Sequence, residues 1–124
     1  MKRTEQICRV LVVEDNIDLC TVFRVLLRNV CDFHIEHTLA DAIAYLADHK
    51  INVLFLDNNL PDGMGIPLIA KIREMHPNAT IVIMTADTTE GLADQALAEG
   101  ATQFIRKPFG GAVIRDIVGA SPAQ

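Results

Sequence analysis

Five short runs of β-branched and apolar residues alternate with five stretches of helical periodicity. This alternation restricts the fold more than any other feature. The runs are 9–13 (RVLVV), 33–38 (FHIEHT), 53–56 (VLFL), 80–84 (TIVIM) and 103–106 (QFIR). The spacing of the intervening residues predicts helices over 17–30, 39–49, 67–76, 89–99 and 111–118. In the first, Val22, Phe23, Leu26, Leu27 and Val30 recur at helical spacing; in the second, Leu39, Ala42, Ile43 and Leu46 share a face. Pro67 suits a first helical turn and Pro77 ends that helix, while Gly100 follows the end of the next. The central strand runs are continuously apolar, with no alternation of polarity. That is the pattern of a parallel sheet covered by helices on both faces. With 124 residues, 50% of them hydrophobic, the chain reads as one domain over 1–124, with 120–124 as a tail or the start of a linker.

Composition removes several classes. Charged residues are 22% of the chain, so it is not disordered, and a net charge of -5 argues against a nucleic-acid-binding surface. No apolar run approaches the roughly 18 residues of a membrane span. The start, MKRTEQICR, lacks the apolar stretch of a signal peptide, and the chain reads as cytoplasmic. Cys8, Cys20 and Cys31 read as reduced thiols packed as small hydrophobes. Cys31, His34 and His37 have a spacing reminiscent of zinc ligands, but two histidines three apart in a strand face opposite sides. His49 and His76 close helices. A phosphate-binding G-x-x-x-x-G-K-[ST] loop is missing from the sequence.

In an open α/β sheet the ligand crevice lies beyond the carboxyl ends of the strands. The first run ends at Glu14 and Asp15, and the third at Asp57 with Asn59 two residues on. The fourth ends at Thr85, Ala86 and Asp87, and the fifth at Lys107 and Pro108. A carboxylate at the end of a buried run is costly unless something pairs with it. Three such acids repel, and each would raise the others' pKa. A hard divalent cation with oxygen ligands, such as Mg2+, resolves that conflict. Lys107 adds a compact positive charge, and the Thr85 hydroxyl can donate to an anionic oxygen. The set suits a phosphoryl group, with Asp57 as a carboxylate nucleophile and catalysis by positioning and charge neutralisation.

Four pieces occur in order: VLVVEDN, VLFLDNNLPDGMG, IVIMTA and GATQFIRKPF. With them the chain resembles, over essentially its whole length, the receiver domain of two-component response regulators. The resemblance implies a flavodoxin-like, doubly wound five-stranded parallel sheet in the order 2-1-3-4-5. It implies that Asp57 accepts a phosphoryl group from a histidine kinase or a histidine phosphotransfer protein. Glu14, Asp15, Asp57 and the backbone carbonyl of Asn59 would hold Mg2+, or Mn2+ in its place. Thr85 would swing to the phosphoryl oxygen, Phe104 would move with it, and Lys107 would contact the phosphate. The Lys107–Pro108 peptide would be cis, which only a proline makes inexpensive. Ala86 would leave the phosphate edge open, and Asn59 and Asp87 would tune the rate of phosphate loss. Such a protein is a switch rather than a metabolic enzyme, aiding only its own phosphorylation and slow dephosphorylation. Its output face would be the fourth helix, fifth strand and fifth helix, meeting an effector domain, an output protein or a second copy on activation. Gly91 early in the fourth helix, and Gly110 and Gly111 at the start of a short last one, suggest a soft output face.

Plainer readings stand beside these. Glu14 and Asp15 would also suit a helix N-terminus, Asn16 can serve as the cap, Phe104 can be core, and Asp62 and Gly63 read as turn residues. A phosphorylation-independent adaptor on the same scaffold would be expected to lose part of the acid, Thr85 and Lys107 set. A flavin binder needs a Ser, Thr and Gly-rich loop after the first strand, whereas EDNID repels phosphate. A phosphohydrolase of the haloacid dehalogenase type needs a second Asp where Asn59 stands, and a cap domain.

Overall fold

The computed structural model describes residues 8–121; of the expected tail at 120–124, Ala120 belongs to the last helix and 122–124 lie outside the described residues. The elements are β1 (Arg9–Val13), α1 (Ile17–Leu27), β2 (Asp32–Glu36), α2 (Leu39–Asp48) and β3 (Val53–Asp57). A 3-10 turn (Ile66–Leu68) then leads into α3 (Ile69–Met75), β4 (Thr80–Thr85), α4 (Leu92–Glu99), β5 (Gln103–Arg106) and α5 (Gly111–Ala120). All strands pair in parallel in the order β2-β1-β3-β4-β5, the flavodoxin-like order expected. Among the described residues no helix is long and apolar enough to cross a membrane.

Successive side chains of a strand point to opposite faces, and here both faces are covered. Leu11, Val13, Leu54, Leu56, Ile81 and Ile83 meet Leu39, Leu46, Ile69, Ile72 and Ala96, from α2, α3 and α4. Val10, Val12, Val53, Phe55, Val82 and Met84 meet Phe23, Leu27, Ile114, Ile117 and Val118, from α1 and α5. Neither face of the central strands can therefore be polar, which accounts for the unbroken apolar runs. Phe23 and Phe55 anchor the second layer with ring centroids 5.0 Å apart.

Helix ends differ from the sequence expectation where backbone chemistry intervenes. Asn16 caps α1, its Oδ1 accepting from the Leu19 N–H at 2.9 Å. The helix stops at Leu27, and Asn29 then adopts φ +68°, so Val30 is 61% exposed; Val22, off the buried stripe of the helix, is exposed too. The buried stripe is Cys20, Phe23 and Leu27. Thr38 is the α2 N-cap rather than the end of a strand, accepting from the Asp41 N–H at 3.1 Å. The fourth helix begins at Leu92 rather than at residue 89, because Gly91 precedes it with φ +89°. A glycine there suits the backbone and carries no helix-interior penalty, so it does not soften α4. The fifth helix continues to Ala120, two residues beyond expectation.

The histidines go to separate partners. His34 Nε2 lies 2.6 Å from Glu36 Oε2, whereas His37 Nδ1 lies 2.9 Å from the Glu14 carbonyl. His49 and His76 do close α2 and α3, with ring nitrogens 2.9 Å from the carbonyls of Tyr45 and Leu46 respectively. All three cysteines are free thiols.

Candidate functional site

Because β1, β3 and β4 are neighbours and parallel, their carboxyl ends deliver Glu14, Asp57 and Thr85 to one edge. The chain leaving β5 adds Lys107. Burial is deep: Glu14 is 0% exposed, Asp57 3% and Thr85 0%. Lys107 Nζ stands 2.6 Å from Glu14 Oε1 and 3.4 Å from Asp57 Oδ2. Asp57 Oδ1 accepts from the Asn59 N–H at 3.2 Å, and Glu14 Oε2 from the Asn16 N–H at 3.0 Å. Glu14 therefore faces Lys107, and the capping of α1 is left to Asn16. Asp15 is exposed at the mouth, and one carboxylate oxygen from each of Glu14, Asp15 and Asp57 lies within 4.8 Å of the others.

Burial and the Glu14 carboxylate push Asp57 up from 3.8 to about 6, against the pull of Lys107 and the Asn59 N–H. One lysine shared by two buried acids leaves the site short of positive charge. The donor set is all oxygen, clustered and anionic, which fits a hard divalent cation. An open cleft of about 650 Å3 covers these groups, lined also by Asn59 and Ala86. A second recess of about 600 Å3, lined by Arg9, His49, Lys50 and His76 among others, lies at the opposite edge of the sheet, away from the acids.

Thr85 follows Met84, the residue that pairs with Asp57 on the neighbouring strand. Its Oγ1 accepts from Asn59 Nδ2 and from the Asp87 N–H, both at 3.0 Å. Asn59 thus touches Asp57 through its backbone and Thr85 through its side chain. The Asp87 carboxylate is occupied elsewhere, accepting from the Thr89 hydroxyl at 2.6 Å and the Thr89 N–H at 2.8 Å. Those two bonds hold its pKa below the usual carboxylate range. The Lys107 N–H donates to the Thr85 carbonyl at 2.9 Å, and the Lys107–Pro108 peptide is cis. Phe104 is half-buried against the α2, α3 and α4 layer, with the Arg106 guanidinium carbon 5.5 Å from its ring centroid.

Three supporting contacts escaped the sequence reading. Asn58, 1% exposed, accepts the Ile66 N–H on its side chain at 2.9 Å and the Gly65 N–H on its carbonyl at 3.1 Å. It clasps the loop that keeps Asn59 against Asp57; an amide directly after a buried run was the available signal. Asp62 is more than a turn residue: it accepts from the N–H groups of Leu39 and Ala40 at the start of α2, at 2.9 and 3.0 Å. Those bonds lower its pKa. The Glu14 carbonyl meets His37 Nδ1 at 2.9 Å and Cys20 Sγ at 3.2 Å, contacts for which no sequence spacing offers a signal.

Gly65 closes the same loop with no room for a side chain. A Cβ there would stand 2.8 Å from Leu56 Cγ and 2.9 Å from the Asp57 carbonyl oxygen. Gly65→Ala is expected to cost about 1–3 kcal/mol by overpacking. Urea unfolding checks this, with Gly110→Ala, which meets no atom within 4 Å, as the benign comparison.

The fold and the acid cluster define a class, and comparison with known proteins agrees. The response regulator receiver domain model matches residues 10–119, and the chain belongs to that family. It is similar to the response regulator protein PilR of Pseudomonas aeruginosa, 30% identical over 111 residues, covering 89% of this chain and 25% of PilR. It is 32% identical over 100 residues to the transcriptional regulatory protein CitT of Bacillus subtilis, covering 78% of this chain and 44% of CitT. The chain thus spans between a quarter and a half of these relatives' lengths. A crystal structure of a response regulator protein from Burkholderia pseudomallei carries a phosphorylated aspartic acid, a calcium ion and citrate. It matches with a TM-score of 0.82 at 26% identity, covering 90% of this chain and 66% of that one. The chain is a receiver domain of two-component signalling.

Proposed function

We propose that Asp57 is the phosphoacceptor of this receiver domain. The supporting observation is a buried carboxylate set beside a second one, with one lysine between them and an open cleft above. Glu14, Asp15, Asp57 and the Asn59 carbonyl would hold Mg2+. When bound, the ion supplies charge neutralisation for the acids and for the entering phosphoryl oxygens. An Asp57 carboxylate oxygen forms the new bond to phosphorus as the bond to the donor imidazole of a histidine kinase or phosphotransfer protein breaks. The departing imidazole keeps the electron pair and takes a proton. Lys107 leaves its bridge between Glu14 and Asp57 and contacts a phosphoryl oxygen. The Thr85 hydroxyl, which accepts from Asn59 and Asp87 before phosphorylation, turns to donate to another. Phe104 follows Thr85 and alters the face formed by α4, β5 and α5. That face would signal to an effector domain or output protein, or pair with a second copy. Asn59 at the cleft and Asp87 beside Thr85 would tune phosphate loss. The domain acts as a switch in the cytoplasm, aiding only its own phosphorylation and slow dephosphorylation.

Intact mass after incubation with acetyl phosphate and Mg2+ tests this reading. The expected result is one phosphoryl increment, removed by hydroxylamine, and absent from Asp57→Asn protein and from samples containing EDTA. Folded protein that stays unmodified would turn the reading to a phosphorylation-independent adaptor.

A further inference from the structure

The register of β1 on β2 sets Arg9 beside Asp32 and Val10 beside Phe33. One step back along both chains, the same register sets Cys8 beside Cys31. The Cys8 carbonyl accepts the Asp32 N–H at 3.0 Å, so the ladder is intact up to this pair. Side-chain alternation directs both thiols to the face of Val10 and Phe33, and both pack against the α1 and α5 layer. Each is free and half-buried, within reach of small solutes. Cys20, by contrast, is 1% exposed, with its sulfur on the Glu14 carbonyl. Neighbouring strands lie ~4.8 Å apart, inside the ~4.4–6.8 Å range of Cα separations that a disulfide spans. Cys31 also senses its neighbour: burial, and then the nearby Cys8, push it up to about 11.

We propose that Cys8 and Cys31 form an oxidisable dithiol, a modification site for low-molecular-weight disulfides such as glutathione disulfide. The thiolate of one cysteine attacks a sulfur of glutathione disulfide, breaking its S–S bond. A mixed disulfide forms and one glutathione leaves as thiolate. The second cysteine, as thiolate, attacks the protein sulfur of the mixed disulfide, expelling the other glutathione. Two electrons pass from the cysteine pair to glutathione disulfide, and the two cysteine protons end on the two released glutathiones. The product closes the chain around α1, tying the entry of β2 to the entry of β1.

The test exposes the native protein to glutathione disulfide at mildly alkaline pH, since burial raises both thiols. Iodoacetamide labelling after denaturation then counts free thiols. The reduced chain takes three labels, one per cysteine, and the oxidised chain is expected to take one. Intact mass should fall by two hydrogens, peptide mapping should join Cys8 to Cys31, and dithiothreitol should reverse the change. Cys20→Ala should retain the loss of two hydrogens; Cys8→Ser and Cys31→Ser, folded by circular dichroism, should abolish it. Three labels after prolonged exposure, a persistent single glutathione adduct, or a bridge that includes Cys20 would each overturn the proposal. If a serine variant does not fold, the wild-type peptide map decides alone.

Discussion

Lys107→Met is expected to lower folding stability by about 3 kcal/mol near neutral pH in the absence of divalent cations. The methionine keeps most of the length and the apolar character of the side chain's stem and removes its charge. Among the described residues, Lys107 is the cation that touches both Glu14 and Asp57, at 2.6 and 3.4 Å. Both acids are almost fully buried, so screening by water is weak. Removing one partner of a buried pair leaves an uncompensated charge, which costs more than the intact pair contributes. Without the lysine's pull, Asp57 rises further above the value of about 6 that it holds beside Lys107. The deficit of the variant should therefore be largest above that value and narrow as acidification protonates Asp57. Urea unfolding at several pH values measures it, and a deficit independent of pH would count against the electrostatic account. In an Asp57→Asn background the same lysine change should cost less, since one of its two carboxylate partners is gone.

Asp57→Asn is expected to stabilise the cation-free protein, by about 2–3 kcal/mol at pH 7.5. The direction follows from linkage. Asp57 has its folded pKa raised from 3.8 to about 6 by burial and by Glu14. Between those values the folded chain binds more protons than the unfolded one. Stability therefore falls as pH rises through this window, and above it the full penalty of the buried anion is present. The asparagine never carries that charge. Its advantage should grow between pH 4 and 7 and be small at pH 3.5, where the wild-type acid is mostly protonated in both states. Mg2+ should raise the wild-type melting temperature at neutral pH and shift the asparagine variant much less. Equal melting curves for the two proteins across the pH range would show that Asp57 is not held under electrostatic stress. A carboxylate retained at such a cost at one spot is a mark of function, and here the same residue would lose the phosphoryl adduct on substitution.

The two expectations pull in opposite directions on one site. Removing the cation worsens the repulsion between the acids, and removing one acid relieves it. Together they separate a charge-starved cleft from a merely well-packed one, in which both substitutions would simply destabilise.

The sheet was legible because apolar runs of strand length, unbroken in polarity, admit few arrangements other than a covered parallel sheet. The site was legible for a related reason: four of the five runs end in a residue that the core cannot bury without a partner. Glu14, Asp57, Thr85 and Lys107 stand next to strands in the chain, and parallel strands gather their ends. Helix ends were less legible. Gly91 falls within an apparently helical stretch, yet its positive φ puts it before α4, and Val30 continues the apolar spacing of α1 beyond the turn at Asn29.

By itself the sequence determined the elements, their parallel pairing and the edge at which the acids meet, since local periodicity and strand-end position are properties of adjacent residues. Tertiary structure alone decided how the charges are shared. Lys107 bridges Glu14 and Asp57 from 93 residues away in the case of Glu14, and Asn59 couples Asp57 to Thr85. The same is true of Asp62 on the start of α2, His37 on Glu14, and Asp32 on the Cys8 carbonyl. Each of these depends on through-space distance and burial between segments far apart in the chain, for which spacing in the sequence has no counterpart.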